Sequence, residues 1–314
     1  MKKISIMVPC YNEEENVIQM HDALTELFHT KLEAYDYEFL FIDNKSTDRT
    51  RELLREICEK DQKTKAIFNM KNFGQFNSPY YGITQTSGDC TIPVCCDFQD
   101  PLELIPMMIQ KWEEGNKVIC MVKTSSKESS LMYFLRGVYY KLIHAMSNVD
   151  QIQQFTGFGL YDRSFVEVLR QLKDPTPFIR GIVAEYAPDH LEIAYEQPQR
   201  KAGRTHNNFF TLFDAAMLSF TSYTKGGLRL ATFGGFAISA LSFLVALIYL
   251  ILKILYWDRF GAGSAPILIG VFFFGGLQMF FVGLLGEYIM SVNTRVINRP
   301  LVIEEERLNF KEDK

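Results

Sequence analysis

Short apolar runs alternate with amphipathic stretches through the N-terminal part of the chain. Between the runs, apolar residues recur at helical spacing, as at Val17, Met20 and Leu24. The runs predict buried strands over Ile4–Val8, Tyr37–Ile42, Lys65–Phe68, Thr91–Cys96 and Val118–Val122. The stretches between them predict helices over Glu13–Phe28, after a cap at Ser46, from Ser78-Pro79 onward and over Leu102–Glu114. This alternation is typical of an α/β domain in which helices cover a parallel sheet.

The regular order ends after Met121. Beyond it the pattern predicts a helix over Leu131–Met146, a loop over Gln171–Pro177 and a short helix over Phe178–Ala184. A basic loop that contains glycine, Arg200–Arg204, comes next. We therefore predict one domain over residues 1–205.

Two long apolar segments follow, Leu230–Leu252 and Gly261–Gly286, and neither contains a charged residue. About 20 apolar residues suffice to cross a bilayer core. The segments predict two transmembrane helices, over about residues 230–254 and 262–286, and the short link Lys253–Phe260 predicts a hairpin. Buried helices of a soluble protein are the alternative. Residues 206–229 predict an amphipathic helix docked at the membrane interface rather than in a core.

Basic residues flank this apolar pair on its outer side, and positive residues favour the cytoplasmic face. Lys253 and Arg259, in the link, oppose this asymmetry only weakly. The pattern predicts a multi-pass protein of the inner membrane, with residues 1–205 and a tail over 291–314 in the cytoplasm. The flanking residues are Lys225, Arg229, Arg295 and Arg299.

Composition narrows the range of partners. The net charge is −4 and no long basic tract is present, so a nucleic-acid partner has no electrostatic support. The first apolar run is short and leads into Asn12-Glu13-Glu14-Glu15, unlike a signal peptide. None of the six cysteines forms a C-x-x-C pair, which predicts reduced, mostly buried thiols and no zinc site.

Three turns rich in carboxylates and amides follow three predicted strands: Pro9–Glu13, Asp43–Asp48 and Asp97–Asp100. The carboxyl ends of parallel strands share one edge of a sheet, so the turns are expected to line one crevice. The oxygens of Asp97 and Gln99 suit Mg²⁺ or Mn²⁺, which in turn hold diphosphates. A polar turn that caps the helix opened by Pro101 is the simpler alternative for the third turn.

A nucleotide would need an apolar or aromatic wall beside these oxygens, together with hydrogen-bond partners for its base and ribose. Pro9, Tyr11 and Asp43 supply both. The chain contains neither a Walker A sequence nor G-x-G-x-x-G, which disfavours a P-loop enzyme and a Rossmann dehydrogenase.

The segments Ile6–Glu14, Asp43–Asp48 and Asp97–Pro101 resemble glycosyltransferase family 2, which has the GT-A fold. The resemblance is closer to its polyisoprenyl-phosphate glycosyltransferases and covers nearly the whole chain. It includes the two C-terminal spans and the segments Phe178–Gly181, Arg200–Gly203, Gly286–Tyr288 and Asn298–Leu301.

This resemblance implies a metal-dependent transfer, with inversion, from a nucleotide sugar to polyisoprenyl phosphate at the cytoplasmic face. It implies catalytic roles for Asp97, Gln99 and Asp100, with Asp97 and Gln99 as metal ligands. Lys123, Arg136 and Arg204 would bind the acceptor phosphate. Bacterial relatives favour a UDP-linked donor and an undecaprenyl carrier, and are compatible with a homo-oligomer. The implied nucleotide-sugar residues are Pro9, Tyr11, Asn12, Glu13, Asp43, Asn44, Ser46, Asn72, Gly74 and Arg200.

The chain departs from the family pattern at three places. Asn44 replaces the second residue of an aspartate pair, Cys95 replaces the first aspartate of Asp-x-Asp, and Gly157 stands where an aspartate is usual. Cys95 is expected to be a small buried residue rather than a soft metal ligand. The losses keep two alternatives open: an enzyme that uses a lipid-linked saccharide as acceptor, and a catalytically silent partner in a membrane glycan assembly.

Overall fold

The computed structural model describes residues 1–124, 152–198, 217–218, 226–255 and 264–310. Within these residues eight strands form one sheet, in the order β7-β5-β6-β4-β1-β2-β3-β8. The strands are β1 (Lys3–Cys10), β2 (Asp36–Asp43), β3 (Thr64–Asn69), β4 (Cys90–Pro93), β5 (Val118–Lys123), β6 (Phe155–Asp162), β7 (Leu191–Tyr195) and β8 (Glu304–Leu308).

The prediction of a parallel sheet is right for its centre and wrong for β6 and β8. Strand β1 pairs in parallel with β2 and β4, and β2 with β3. Helical crossovers join these strands, and such a crossover permits parallel pairing. Strand β6 is antiparallel to β4 and β5, and β8 is antiparallel to β3. Strand β8 follows the long helix Ser264–Ile297 in the chain and pairs with the outer edge of β3.

Helices cover both faces of the sheet, as predicted. On one face α1, α2 and α4 pack against Ile6 and Val8, and on the other α3, α5 and α6 pack near Met7 and Leu40. Neighbouring residues of β1 thus serve opposite cores, which is the period of a strand. The helices are α1 (Val17–Lys31), α2 (Thr50–Lys60), α3 (Gly74–Gln85), α4 (Ile105–Glu113), α5 (Arg163–Leu172) and α6 (Ile179–Tyr186).

Two predicted helix starts are wrong. Ser46 does not cap α2, which begins at Thr50, where Asp48 Oδ1 accepts hydrogen bonds from the backbone N (3.0 Å) and hydroxyl (2.6 Å) of Thr50. Helix α3 begins at Gly74, so Pro79 lies inside it rather than at its first turn.

Two further boundaries differ from the predicted ones, the start of α1 and the end of β4. The predicted helix from Glu13 starts at Val17, since Glu13 O accepts the backbone N–H groups of Asn16 and Val17 in a turn. Strand β4 is four residues long and ends at Pro93 instead of reaching Cys96. A short 3-10 turn, Leu102–Leu104, precedes α4. The helix predicted over Leu131–Met146 lies outside the described residues.

Two long helices, α7 (Gly226–Leu255) and α8 (Ser264–Ile297), follow the sheet domain and contact each other. Phe233, Phe236, Phe273 and Phe280 are among their exposed apolar side chains. Among the described residues, the segment Phe273–Ile297 has the length and apolar composition to cross a membrane. A transmembrane hairpin of both helices stays a prediction. Most of the amphipathic segment 206–229 lies outside the described residues.

The predicted tail, residues 291–314, contributes to two elements of the fold. It supplies the last turns of α8 and the edge strand β8, in which Leu308 pairs with Ala66 and Glu306 with Phe68. The Nδ2 atom of Asn309 then donates to the carbonyls of Cys58 (2.7 Å), Asp61 (3.3 Å) and Thr64 (2.7 Å). The end of the chain therefore closes the sheet edge at β3.

Replacement of Asn309 by glycine should destabilise the sheet domain. Asn309 has φ 59°, a conformation that glycine accepts, so the change removes the three hydrogen bonds without adding strain. We expect the free energy of unfolding to fall by about 1–3 kcal/mol. The thermal midpoint of the full chain in detergent measures the effect.

Asn298→Gly is the matched control for this change. Asn298 also has a left-handed φ, of 47°, and its side chain makes no hydrogen bond to the described residues. Equal losses from both variants would contradict a closing role for Asn309.

Candidate active site

The first two polar turns meet at the carboxyl edge of the sheet. Cys10 and Asp43 are register partners at the ends of β1 and β2, which puts the following residues side by side. The backbone N of Asn12 donates to Ser46 Oγ (2.9 Å), and Asn12 Oδ1 accepts from Thr47 N (2.8 Å). Asn12 and Ser46 therefore hold the two turns together. Glu13 is fixed to the start of α2, because its N donates to Thr50 Oγ1 (2.8 Å).

Asp43 organises the second turn from a fully buried position. Its carboxylate accepts the backbone N–H groups of Lys45 (3.1 Å) and Ser46 (3.2 Å). Arg51 Nε forms an ion pair with it at 2.9 Å. Burial raises the pKa of Asp43, and the bonds to Ser46 and the charge of Arg51 only partly oppose this shift. The carboxylate thus holds the backbone of the loop from inside the protein.

Asn44 is one departure from the family pattern, and its surroundings explain it. The side-chain amide donates hydrogen bonds through Nδ2 and accepts them through Oδ1. Its Nδ2 donates to Asn72 Oδ1 (2.9 Å) and Gly74 O (3.1 Å). Its Oδ1 accepts from Phe73 N (2.8 Å) and Asn69 Nδ2 (3.2 Å). An aspartate here would set a carboxylate against two acceptor oxygens. Asn44, Asn72 and Gly74 thus form one structural unit at the sheet edge.

The third turn is built around two buried carboxylates, Asp97 and Asp100. Asp97 Oδ1 accepts from Gln99 N (3.1 Å), and Asp100 Oδ2 accepts from Cys95 N (2.9 Å). Phe98, between them, has a left-handed φ of 59°. Burial raises the pKa of Asp100, and its hydrogen bonds with Cys95 oppose the rise. Asp100 therefore closes the turn, while the side chain of Gln99 lines a cavity next to it.

This cavity has a volume of about 310 Å³ and lies beside Pro9 at the carboxyl edge. Its polar end contains Cys95, Gln99 and Lys123. The backbone N of Lys123, at the end of β5, donates to Gln154 O (3.3 Å). The apolar wall consists of Phe76, Pro79, Ile83, Phe178 and Ile179.

Arg180, for which the sequence predicts no role, also lines the cavity. Its guanidinium lies 5.7 Å from the ring of Phe178, which in turn packs edge-on against Phe76 at 5.6 Å. The Phe178–Gly181 segment was noted only as part of a family resemblance. A single basic residue in this segment does not predict a second cation, because only the fold brings it to the cavity.

Three predicted binding residues, Arg136, Arg200 and Arg204, lie outside the described residues. Tyr11 lies in the turn after β1, with its side chain partly exposed. Of the predicted acceptor residues, Lys123 is therefore the one whose place in the cavity is described.

Cys95 corrects one expectation. It is exposed at the cavity wall instead of buried, whereas the other five cysteines are buried as predicted. Desolvation by the surrounding protein raises the pKa of the Cys95 thiol well above its usual range, and the negative charges of Asp100 and Asp97 raise it further. Cys95 therefore presents a neutral thiol to the cavity.

Gly157 meets a backbone requirement at the same wall. Its φ is +102°, which side chains of L residues rarely adopt, and an added Cβ would lie 3.3 Å from Ile179 Cγ2. The aspartate expected from the family would be strained here. This departure therefore belongs to the path of the backbone.

The oxygen ligands of the third turn fit a divalent cation that a nucleotide diphosphate helps to hold. Mg²⁺ and Mn²⁺ prefer oxygen ligands, and Mg²⁺ is commonly held by one or two carboxylates plus substrate phosphates. Asp97 and Gln99 offer one carboxylate and one amide oxygen. Among the described residues, no cluster of three or more His, Cys, Asp or Glu could hold a metal by itself. A cation bound here would need oxygens from the diphosphate.

A larger cavity, of about 970 Å³, lies at the opposite end of the strands, near Lys3, Glu38 and Arg299. Ligands of such sheets bind at the carboxyl ends of the strands. Two of its cations, Lys3 and Lys65, already pair with Glu38 at 2.7 and 2.8 Å. The smaller cavity, which adjoins the acidic turn, is therefore the candidate active site.

The sequence model of Glycosyl transferase family 2 matches residues 5–170, which include all three turns and Lys123. The chain belongs to this family. It is a glycosyltransferase, and its mixed α/β sheet is the GT-A fold that its motifs predict. The resemblance found in the sequence is confirmed.

Known relatives match nearly the whole glycosyltransferase. An uncharacterized glycosyltransferase of Bacillus subtilis, YkcC, is 32% identical and the match covers 95% of this chain and 92% of that protein. A prophage-derived bactoprenol glucosyl transferase of Shigella flexneri is 28% identical, with 96% and 97% covered. The crystal structure of glucosyl-3-phosphoglycerate synthase from Mycobacterium tuberculosis with UDP is 16% identical, with a TM-score of 0.47 and 70% and 78% covered.

Cys95 should report on ligand binding in the cavity. Since the thiolate is the reactive form, the raised pKa predicts slow alkylation by iodoacetamide at neutral pH and faster alkylation as the pH rises. Among the native cysteines Cys95 should react first, and a nucleotide sugar with Mg²⁺ should slow it. Peptide mass spectrometry over time measures the rate.

Cys95→Ser is the control and should remove the early label. Faster labelling of a buried cysteine would contradict the exposure of Cys95. A labelling rate of Cys95 that no bound nucleotide sugar changes would place the ligand outside this cavity.

Proposed function

We propose that this glycosyltransferase moves a sugar from a UDP-linked donor to undecaprenyl or another polyisoprenyl phosphate, with inversion, at the cytoplasmic membrane face. One observation carries the proposal: a cavity at the carboxyl edge joins the acidic Asp97–Asp100 turn to the cations Lys123 and Arg180. The match to a bactoprenol glucosyl transferase over 96% of the chain supports the lipid acceptor.

The donor would lie along the first two turns, and several contacts support this. Pro9 and Tyr11 offer a wall for the base, and the loop held by Asp43 lies beside them. Asn12, Glu13 and Ser46 hold that edge rigid. Arg200 would bind the diphosphate.

The diphosphate would then reach the third turn, where Asp97 and Gln99 would hold Mg²⁺ or Mn²⁺. When bound, such a cation stabilises the charge of the departing diphosphate. Asp97 is buried and its turn is fixed by Gln99 N and by Asp100. These residues are therefore ready to orient the donor without rearrangement.

The acceptor would need cations more than a base. A lipid phosphate is already anionic near neutral pH, so its oxygen attacks without first losing a proton. Lys123 and Arg180 would bind that phosphate and orient it, together with Arg136 and Arg204. Attack on the face of the sugar opposite the diphosphate inverts the anomeric carbon.

The membrane anchor would consist of helices α7 and α8, crossing over about residues 230–254 and 262–286. Their exposed phenylalanines support this, as does the apolar segment Phe273–Ile297. The basic residues outside the hairpin favour a cytoplasmic domain. The amphipathic segment 206–229 would lie at the interface, and a homo-oligomer is compatible with this arrangement.

Asp97→Asn should reduce transfer by about 100-fold or more, because one charge at the diphosphate is lost. The asparagine oxygen can still accept from Gln99 N, so the turn should keep its shape. The assay gives the full chain undecaprenyl phosphate, Mg²⁺ or Mn²⁺ and a panel of nucleotide sugars, and identifies the lipid product by mass.

Asp22→Asn is the control for this assay, since Asp22 is exposed on α1. Its transfer rate should match that of the unmodified protein. Transfer only to a lipid-linked saccharide would favour that acceptor instead. Folded protein that neither binds nor transfers any sugar would favour the silent-partner hypothesis.

Lys123→Ala should weaken binding of the acceptor phosphate more than binding of the donor. Removing one phosphate contact should raise KM for the lipid phosphate about tenfold, with the donor Kd changed less than twofold. Initial rates over a range of lipid concentrations, with donor binding by calorimetry, separate the two. An equal loss of affinity for the lipid phosphate and for the donor would place Lys123 beside the donor diphosphate.

A further inference from the structure

We infer that Glu305, on the edge strand after the apolar helices, is a positioning residue for the nucleotide edge of the proposed active site. The inference rests on the proposed function, since it assigns the Asp43 turn to the donor. Glu305 Oε2 lies 2.8 Å from Lys45 Nζ and 3.0 Å from both terminal nitrogens of Arg51. One carboxylate of β8 thus contacts Lys45 of the second turn and Arg51 of α2.

Arg51 transmits this contact to a buried carboxylate. Its Nε is 2.9 Å from Asp43 Oδ2, and its Nη2 also donates to Asn69 O (3.2 Å). The guanidinium lies 5.0 Å from the ring of Phe68. Asp43 is fully buried, whereas the side chain of Glu305 is 44% exposed. Arg51 therefore lies between an inner and an outer carboxylate, and its orientation depends on both.

Asp43 in turn shapes the loop that would face the nucleotide. It holds the backbone of Lys45, whose φ of 66° is left-handed, and of Ser46. Ser46 Oγ then accepts from Asn12 N in the first turn. A continuous set of contacts thus runs from Glu305 through Arg51 and Asp43 to Asn12.

Loss of Glu305 would act on this set in two ways. Lys45 would lose its ion pair, so the strained part of the loop would be held by the backbone bonds to Asp43 alone. Arg51 would lose two of its contacts and hold Asp43 in a less defined geometry. Both effects should weaken nucleotide binding and leave the groups around the reacting sugar unchanged.

Glu306 provides a matched control on the same strand. It pairs with Arg55, one helical turn after Arg51, at 2.6 Å. Its side chain is 36% exposed, close to the value for Glu305. Arg55 lies 4.7 Å from the ring of Phe68 but, among the described residues, makes no ion pair with Asp43. Replacing Glu306 thus removes a similar surface pair without touching the Asp43 turn.

The experiment measures UDP and GDP binding to the full chain in detergent with Mg²⁺, by calorimetry. Glu305→Ala should raise the Kd of the bound nucleotide about 5- to 10-fold, and Glu306→Ala less than twofold. Both variants should lower the thermal midpoint by similar amounts, and kcat at saturating donor should stay within twofold of the unmodified protein. Glu305→Gln should be intermediate, because it keeps an acceptor oxygen without the charge.

A double-mutant cycle tests the route through Arg51. Arg51→Gln should itself raise the Kd, and Glu305→Ala should add less than twofold to it, since coupled residues are not additive. Equal Kd values for Glu305→Ala and Glu306→Ala, or full additivity with Arg51→Gln, would overturn the positioning role while the proposed function stands. An unmodified protein that binds neither nucleotide would overturn both.

Discussion

Parallel pairing of β1 with β2 and β4 is the constraint on which the candidate site depends. It aligns Cys10 with Asp43 and Met7 with Pro93, so the residues after each strand emerge at one edge. Chain segments far apart in sequence then form a single polar rim. The antiparallel strands β6 and β8 lie outside this centre and leave its register intact. Strand β6 brings Gly157 and Phe158 to the cavity wall, where β5 ends in Lys123.

Two buried carboxylates on β2 show how the ends of the sheet differ. Burial alone would raise the pKa of Glu38, but hydrogen bonds from Lys3 and Lys65 outweigh it and hold the pKa well below its usual range. At the carboxyl end, burial outweighs the opposing groups and raises the pKa of Asp43. Cations and hydroxyls thus surround Glu38, whereas Asp43 is held mainly by backbone N–H groups and by Arg51. The two ends of β2 therefore place their buried carboxylates in opposite electrostatic surroundings.

The sequence predicts the features that depend on local pattern. The first five strands, the helices between them and the meeting of the first two turns follow from apolar periodicity and from the topology of α/β sheets. It does not predict what depends on distant partners. Strand β8 has a charged sequence. Its position beside β3 is stabilised by ion pairs with Lys45, Arg51 and Arg55, which are far from it in sequence. Arg180 was missed for the same reason, since only the fold brings it to Lys123.

The three departures from the family pattern differ in kind once their surroundings are compared. Asn44 donates and accepts within the sheet edge, and Gly157 meets a left-handed backbone, so both changes are matched by the structure around them. Cys95 is different, because its side chain is exposed at the cavity beside Asp97 and Asp100. A carboxylate there would add negative charge against the two that are already present, and the neutral thiol avoids that repulsion. Of the three departures, Cys95 is therefore the one whose side chain faces the candidate active site.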